Sequence, residues 1–360
     1  MKYAVIVPVF NRPDEVRELL ESLTRQTFKD FEVVVVEDGS DNTCKDVCDA
    51  FADRLDLHYY YKANSGPGQS RNYGVERARG EYVLILDSDV VVPPGYLDAV
   101  DRELSEMPCD AFGGPDAAHP SFTPVQKAIS YSMTSFFTTG GIRGGKGRRL
   151  DRFFPRSFNM GVRRDKYLEL GGFSRMRFGE DIDFSYRIVE AGLSCRLFPE
   201  AWVWHKRRTD LRKFYRQVYN SGIARINLTK RHPGTLKLVH MLPAAFTLGV
   251  IGCLLLFLLG VGMYAQGEWL DYQGLRPTDN MHQGIGFMFC ELALIPIILY
   301  SAIIFTDSSV KNRSLRVGLL SVPAAFVQLC GYGLGFINAW WRRCVLGRDE
   351  FHAFEKNFYS

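Results

Sequence analysis

Asp87 and Asp89 stand one residue apart at the end of an apolar run, Tyr82–Leu86, inside Glu81–Val92 (EYVLILDSDVVV). The run is rich in β-branched and aromatic residues and predicts a strand covered on both faces. Two carboxylates at the end of such a strand repel each other. A divalent cation with a taste for oxygen, Mg²⁺ or Mn²⁺, relieves that repulsion and bridges to a diphosphate. An Asp-x-Asp pair alone also describes a strand that runs into an acidic turn, so its neighbours decide its meaning. A second acidic end, Glu37-Asp38-Gly39-Ser40, follows the apolar run Phe31–Val36. A carboxylate at Asp38 can accept from a base N–H, and Arg71 can reach a diphosphate. Further along, Glu180, Asp181 and Asp183 open a helical pattern in which Ile182, Tyr186 and Val189 repeat. Acids at a helix start also simply compensate the dipole.

These residues need elements to hold them. Tyr3–Val9 predicts a first strand, with a helix from Pro13 to about Arg25 on Val16, Leu19, Leu20 and Leu23. Ser40 or Asp41 is placed to cap a helix reaching about Phe51. Leu57–Tyr61 is a third strand, the Asn64–Gly68 turn leads into a helix over Gln69–Ala78, and the central strand follows. Strands alternating with helices at this spacing predict an α/β, mostly parallel, doubly wound sheet. The carboxyl edge of such a sheet is where ligands bind. Pro93-Pro94 opens a helix to about Glu106, Asp110–Gly114 is a further strand, and Thr123–Phe137 has helical spacing. Leu193–Phe198 and Ala201–His205 are short strands.

Composition narrows the class. The 360 residues suffice for roughly two domains. The net charge of +4 hides a split: residues 1–139 carry 13 basic and 23 acidic residues, 140–237 carry 23 and 9, and 238–360 carry 8 and 8. The basic middle suggests phosphates or an anionic lipid surface. No base-reading motif accompanies it, so nucleic acid is not expected as a partner. The eight cysteines form no Cys-x-x-Cys and are read as reduced and structural. The N-terminal apolar run ends at Pro8 and reads as a strand rather than a signal peptide, so the first domain is expected in the cytosol. Gly140, Gly145 and Lys146 approach a P-loop, but Gly147 stands where Ser or Thr is required. Gly66–Arg71 lacks the third glycine of a dinucleotide fingerprint, which excludes a dehydrogenase.

Four motifs in order make the pattern specific. Val5–Asn11 (VIVPVFN), Glu37–Ser40 (EDGS), Ser70-Arg71-Asn72 and Asp87-Ser88-Asp89 resemble the donor half of a family 2 glycosyltransferase with the GT-A fold. The resemblance covers about residues 3–230. It implies a nucleotide-diphosphate sugar donor, with a UDP-sugar favoured, and Mg²⁺ or Mn²⁺. It implies that Pro8 and Asn11 line the nucleotide pocket and Asp38 contacts the base. Arg71 and Asp87 would lie near the ribose-diphosphate, and Asp89 on the metal. The resemblance implies that the Glu-Asp pair after Gly171-Gly172-Phe173 supplies the acceptor site, with Asp181 as general base and Glu180 supporting it. By the same resemblance Asn159, Asp183 and Arg187 would support the acceptor site or its loop. His205 matches a metal-ligating position in related enzymes, although a lone histidine is equally a structural residue.

The remainder is membrane-like. The catalytic domain is expected over 1–206. A basic amphipathic helix lying on the membrane surface follows over 207–238. A membrane domain over 239–360 holds three hydrophobic segments, 242–264, 284–305 and 315–341. Three full spans would leave Arg342 and Arg343 outside, against the positive-inside tendency, unless the third segment turns back at Pro323 and its glycines. The expected protein is a multi-pass enzyme of the inner (cytoplasmic) membrane, with its active site on the cytosolic face. It would transfer a sugar, with inversion, to a lipid or polyprenyl-linked acceptor. The alternatives are a processive polysaccharide synthase, for which the Gln-x-x-Arg-Trp motif is missing, and an inert nucleotide-sugar-binding scaffold.

Overall fold

The computed structural model describes residues 1–117, 119, 121–140, 153–176, 178–206, 209–272 and 281–350, without the side chains of 271 and 281. The glycine-rich basic segment singled out above therefore lies almost wholly outside the described residues. The first half of the domain alternates strictly: β1 (Tyr3–Val9), α1 (Pro13–Thr24), β2 (Phe31–Asp38), α2 (Lys45–Asp49), β3 (Leu57–Lys62), α3 (Pro67–Arg77) and β4 (Tyr82–Leu86). Then come β5 (Val90–Val91), α4 (Tyr96–Glu106), β6 (Ala111–Gly113), β7 (Asp116–Ala117), α5 (Pro124–Thr134) and α6 (Phe136–Thr139). After them follow β8 (Asn159–Arg163), α7 (Arg164–Glu169), α8 (Glu180–Glu190), β9 (Cys195–Leu197) and β10 (Val203–His205).

Seven strands form one sheet in the order β3-β2-β1-β4-β8-β6-β9. Its core is divided by the two-residue period of the strands. Tyr3, Val5, Val7 and Val9 pack with Val16, Leu19, Leu20 and Leu23 of α1 on one face. Ala4 and Ile6 pack with Val75 of α3 and with Phe184 and Ile188 of α8 on the other. Both faces of β1 are therefore dry, which explains a strand with no charged side chain. The parallel registers Val9↔Glu37 and Ile6↔Ile85 bring the ends of β1, β2 and β4 to one edge.

The sheet departs from the expected pattern at β8. The Asn159-Met160-Gly161 stretch forms a strand antiparallel to both β4 and β6, so the sheet is mixed. A second, three-stranded sheet, β5-β10-β7, stands beside it. Helix α2 starts later than its capping residues suggested. The Ser40 hydroxyl is already committed, donating to Glu37 and accepting the Asn11 N–H at 2.7 Å. Glu37 instead accepts the Cys44 N–H at 2.7 Å.

Helix α9 (Leu211–Arg231) is capped by Asp210, which accepts from the Lys213 N–H at 2.7 Å. Three long apolar helices follow: α10 (Leu238–Tyr272), α11 (Met281–Asn312) and α12 (Leu315–Trp340). Each is long and apolar enough to cross a membrane. Pro323 lies inside α12 without breaking it, and a π-helical turn, Trp341–Val345, continues it. The third segment thus does not turn back on itself.

Candidate active site

The acidic edge assembles from three strand ends and one helix start. Asp87 and Asp89 leave β4, and the pairing His205↔Val90 between β10 and β5 sets His205 beside them. Asp87, Asp89 and His205 each offer one ligand atom, and these atoms lie within 4.8 Å of one another. His205 Nε2 is 3.3 Å from Asp89 Oδ1, and its ring stacks on Phe158. Two carboxylates and an imidazole fit Mn²⁺ better than Mg²⁺, which prefers oxygen alone. Arg12, which the sequence reading passed over, donates from Nη1 to Asp89 Oδ2 at 2.8 Å. Burial acts to lower the Arg12 pKa, but Asp89 outweighs it and holds the guanidinium above its ordinary value.

Asp38 is buried at the end of β2. It accepts the Ser65 and Gly66 N–H groups at 2.9 Å each, and the Lys62 ammonium. Its carboxylate therefore fixes the turn that launches α3; an ionised carboxylate has acceptor capacity beyond these contacts. Gly39 must be glycine here, since it has φ +75° and a Cβ would lie 2.7 Å from the Asn64 nitrogen. Pro8 is the penultimate residue of β1. Asn11 follows with φ 54°, its Oδ1 accepting the Asn42 N–H at 3.0 Å.

Arg71 is 4% exposed on α3 and joins the two halves of the site. Nη2 donates to Asp87 Oδ1 at 2.7 Å, and Nη1 to Glu180 Oε1 at 3.3 Å. Gly68 allows the approach: a Cβ there would stand 3.3 Å from Glu180 Cγ and 3.2 Å from Phe173 Cβ. Asn72 locks the glycine loop to the same helix, donating to the Phe173 carbonyl at 2.8 Å and accepting the Phe173 N–H at 2.8 Å.

Glu180 and Asp181 open α8 and are driven apart electrostatically. Burial pushes the Glu180 carboxyl up, with Arg71 opposing and Asp181 adding to the rise. Burial also acts to raise Asp181, but Arg156, whose Nε donates to Oδ2 at 2.7 Å, holds it below its usual value. Arg156 is the second residue that sequence reasoning missed. It lies in a stretch without periodicity, whereas Arg12 adjoins the Asn11 motif.

The supporting residues do different work. Asn159 is buried, accepts from Tyr96 Oη at 2.7 Å and donates to the Ala201 carbonyl at 2.8 Å. It ties β8 to α4 and to the loop before β10. Asp183 accepts from Ser174 Oγ at 2.5 Å and Arg187 Nε at 3.1 Å. Arg187 also donates to the carbonyls of Leu170 and Gly172. His232, just past α9, stands 3.0 Å from Asp183 and 2.8 Å from Glu190.

Residues 4–171 match "Glycosyl transferase family 2". An uncharacterized glycosyltransferase of Rickettsia felis is 32% identical over 143 residues, 39% of this chain and 23% of the relative. The pre-mycofactocin glycosyltransferase of Mycobacterium tuberculosis is 26% identical over 280 residues, 72% of this chain and 53% of the relative. The chain thus spans about a quarter to a half of these relatives' length. A mannosyltransferase structure from Pyrobaculum calidifontis superposes with TM-score 0.53 at 15% identity, covering 95% of this chain and 88% of that one. Residues 4–171 are a family 2 glycosyltransferase domain on a GT-A-like fold, joined in this chain to three long apolar helices.

Proposed function

We propose that the protein transfers a sugar, with inversion, from a nucleotide-diphosphate sugar to a lipid or polyprenyl-linked acceptor at the cytosolic face of a membrane. The observation that carries the reading is the Arg71 bridge between Asp87 and Glu180. It brings Asp87 and Glu180 onto one guanidinium, which supports donor and acceptor sites close enough for a single displacement. The Pyrobaculum mannosyltransferase structure, described as a complex with GDP-Man and Mn²⁺, supports a nucleotide sugar and a divalent cation.

Asp87, Asp89 and His205 would hold the cation, which when bound supplies charge neutralisation at the leaving diphosphate. Asp38, Pro8 and Asn11 line the base end of the donor pocket. The acceptor hydroxyl attacks the anomeric carbon as the bond to the diphosphate oxygen breaks. Its proton passes to Asp181, through Oδ1, since Arg156 holds Oδ2. Arg156 keeps that carboxylate ionised, and Glu180 and Arg71 set its surroundings. A second reading exchanges the roles of the pair. Burial brings Glu180 closer to neutrality than Asp181, which suits a proton acceptor.

The three apolar helices support a membrane-held acceptor and a multi-pass location in the cytoplasmic membrane. The test is a panel of UDP- and GDP-sugars with Mn²⁺ or Mg²⁺ on protein purified in detergent, read by nucleotide release and thermal stabilisation. Release from one donor, lost in Asp89→Ala, is expected. A folded protein that binds a donor but releases no nucleotide would leave the inert nucleotide-sugar-binding scaffold as the reading, and one that binds no donor would overturn both.

A further inference from the structure

Helix α12 differs from α10 and α11 in what it packs against. Of its most apolar stretch, α12 buries 44%, against 17% in α10 and 11% in α11. Helices α10 and α11 pair with each other through close backbone contacts. A Cβ on Gly260 would meet the Gly286 carbonyl at 2.6 Å, and one on Gly267 would meet Gln283. Ile251, Leu255 and Leu258 on α10, and Phe287, Leu292 and Ile295 on α11, remain exposed. Leu248 to Leu270 is about 33 Å of helix, enough for a hydrocarbon core of about 30 Å.

Helix α12 touches the start of α10, where a Cβ on Gly333 would meet the Pro243 carbonyl at 2.4 Å, and the end of α11, where Ser308 and Ser321 share a hydrogen bond, and it also runs alongside α9, in the same direction, along most of its length. Leu211 packs with Val317 and Ala324 near the start of α12. A Cβ on Gly331 would meet Val218 at 2.6 Å, and one on Gly335 would meet the Tyr219 carbonyl at 2.0 Å. Asn338 donates to Tyr219 Oη at 2.7 Å. At the far end Ala339 packs with Ile226, and Arg343 donates to Asn227 at 3.2 Å.

Helix α9 itself cannot cross a bilayer. It carries Arg212, Lys213, Arg216, Arg225, Lys230 and Arg231 and no acid. Both its ends are held on the catalytic domain. Phe214 and Val218 pack on Ile129 and Met133 of α5, while Arg225 donates to Tyr186 at 3.0 Å and His232 reaches Asp183. A helix that follows α9 from end to end has both ends on the catalytic side. The start of α12 repeats the point, since Val317 and Ala324 also touch Ala128 of α5.

We propose that the chain crosses the bilayer twice, through α10 and α11, and that α12 lies in the plane of the membrane surface beneath the catalytic domain. Leu315, Leu319 and Leu334, exposed on α12, then meet the acyl boundary, and residues 313–350 lie on the catalytic side. This inference rests on the membrane reading above and adds a topology to it. It also removes the charge conflict of three spans. Lys311, Arg313, Arg316, Arg342, Arg343 and Arg348 all come to the side of the basic α9. Across the end of α10 and the stretch before α11 the sequence has one basic residue, Arg276, against Glu268, Asp271 and Asp279, which gives the other side no basic excess.

The test is labelling with a membrane-impermeant maleimide in sealed vesicles of both orientations. Three single-cysteine forms of the full chain are needed: native Cys344, which is exposed, Asp53→Cys on the catalytic domain, and Tyr272→Cys at the end of α10. Cys344 and D53C are expected to label in the same vesicle orientation, and Y272C in the opposite one. Cys344 labelling together with Y272C shows that α12 crosses, which overturns the inference and leaves the membrane reading intact. Y272C labelling together with D53C overturns it too, and alkaline carbonate extraction then decides whether the membrane reading falls with it. Should the cysteine-depleted chain not fold, a peptide tag after Ser360 on the native-cysteine protein reports the same sidedness by protease access.

Discussion

Arg71 donates to Asp87 at 2.7 Å and to Glu180 at 3.3 Å, so one buried guanidinium couples the end of β4 to the start of α8. A lysine is a point charge and cannot hold both geometries. Arg71→Lys is expected to fold and to lower nucleotide release about 100-fold. Arg71→Ala leaves two half-buried carboxylates facing each other and should cost about 3–5 kcal/mol, seen in the denaturation midpoint. Wild-type turnover in R71K would show that the bridge has no part in the chemistry.

The donor set of Asp87, Asp89 and His205 predicts dependence on an added cation, with Mn²⁺ preferred. Chelation should abolish nucleotide release and Mn²⁺ restore it. His205→Ala should raise the Mn²⁺ concentration for half-activity by about 10- to 100-fold or more, since even outer-shell losses have that effect. Arg12 shares Asp89 Oδ2, so Arg12→Gln is expected to tighten Mn²⁺ binding to the donor-free protein. Paramagnetic resonance titration measures both. Unchanged Mn²⁺ affinity in H205A would remove the histidine from the set.

Glu180 and Asp181 are separated by their arginines, and substitution separates their roles. Asp181→Asn should lower transfer by about 10²–10⁴, the contribution of a general base, while donor affinity stays near wild type. Glu180→Gln should fall less and also disturb the Arg71 contact. Comparison of single-turnover rates and donor binding decides the pair. The reverse ranking would assign the proton to Glu180.

Much of this site was legible because its signals are local. β1 and β4 announce themselves as dry apolar runs, and Asp38, Asp87 and Asp89 stand directly at strand ends. What escaped depends on partners distant in sequence. β8 is only five residues long and takes its place by antiparallel pairing to β4 and β6. Arg156 acquires meaning only because its loop folds onto α8, 25 residues away. The three apolar helices were visible as lengths of hydropathy. Their difference in packing was not, because the glycines of α12 mark a helix contact without naming the partner.

His232 links the end of α9 to α8 through Asp183 and Glu190, and Asp183 gives that link a pH signature. Burial acts to raise the Asp183 carboxyl, but hydrogen bonds from Ser174 and His232 and the charge of Arg187 outweigh it and hold it below its ordinary value. The unfolded chain, with a carboxyl near about 3.9, therefore takes up the proton first as pH falls. The stabilisation is complete well above that value and is lost progressively below about pH 4, as pH passes through the depressed folded value. Asp183→Asn should lower the unfolding midpoint at pH 7 and flatten its fall in acid. The measurement is thermal unfolding of both proteins across about pH 3–7, in the window that linkage defines. Parallel curves would mean that Asp183 titrates alike in the folded and unfolded chain, and that the network with His232 and Arg187 does not hold its charge.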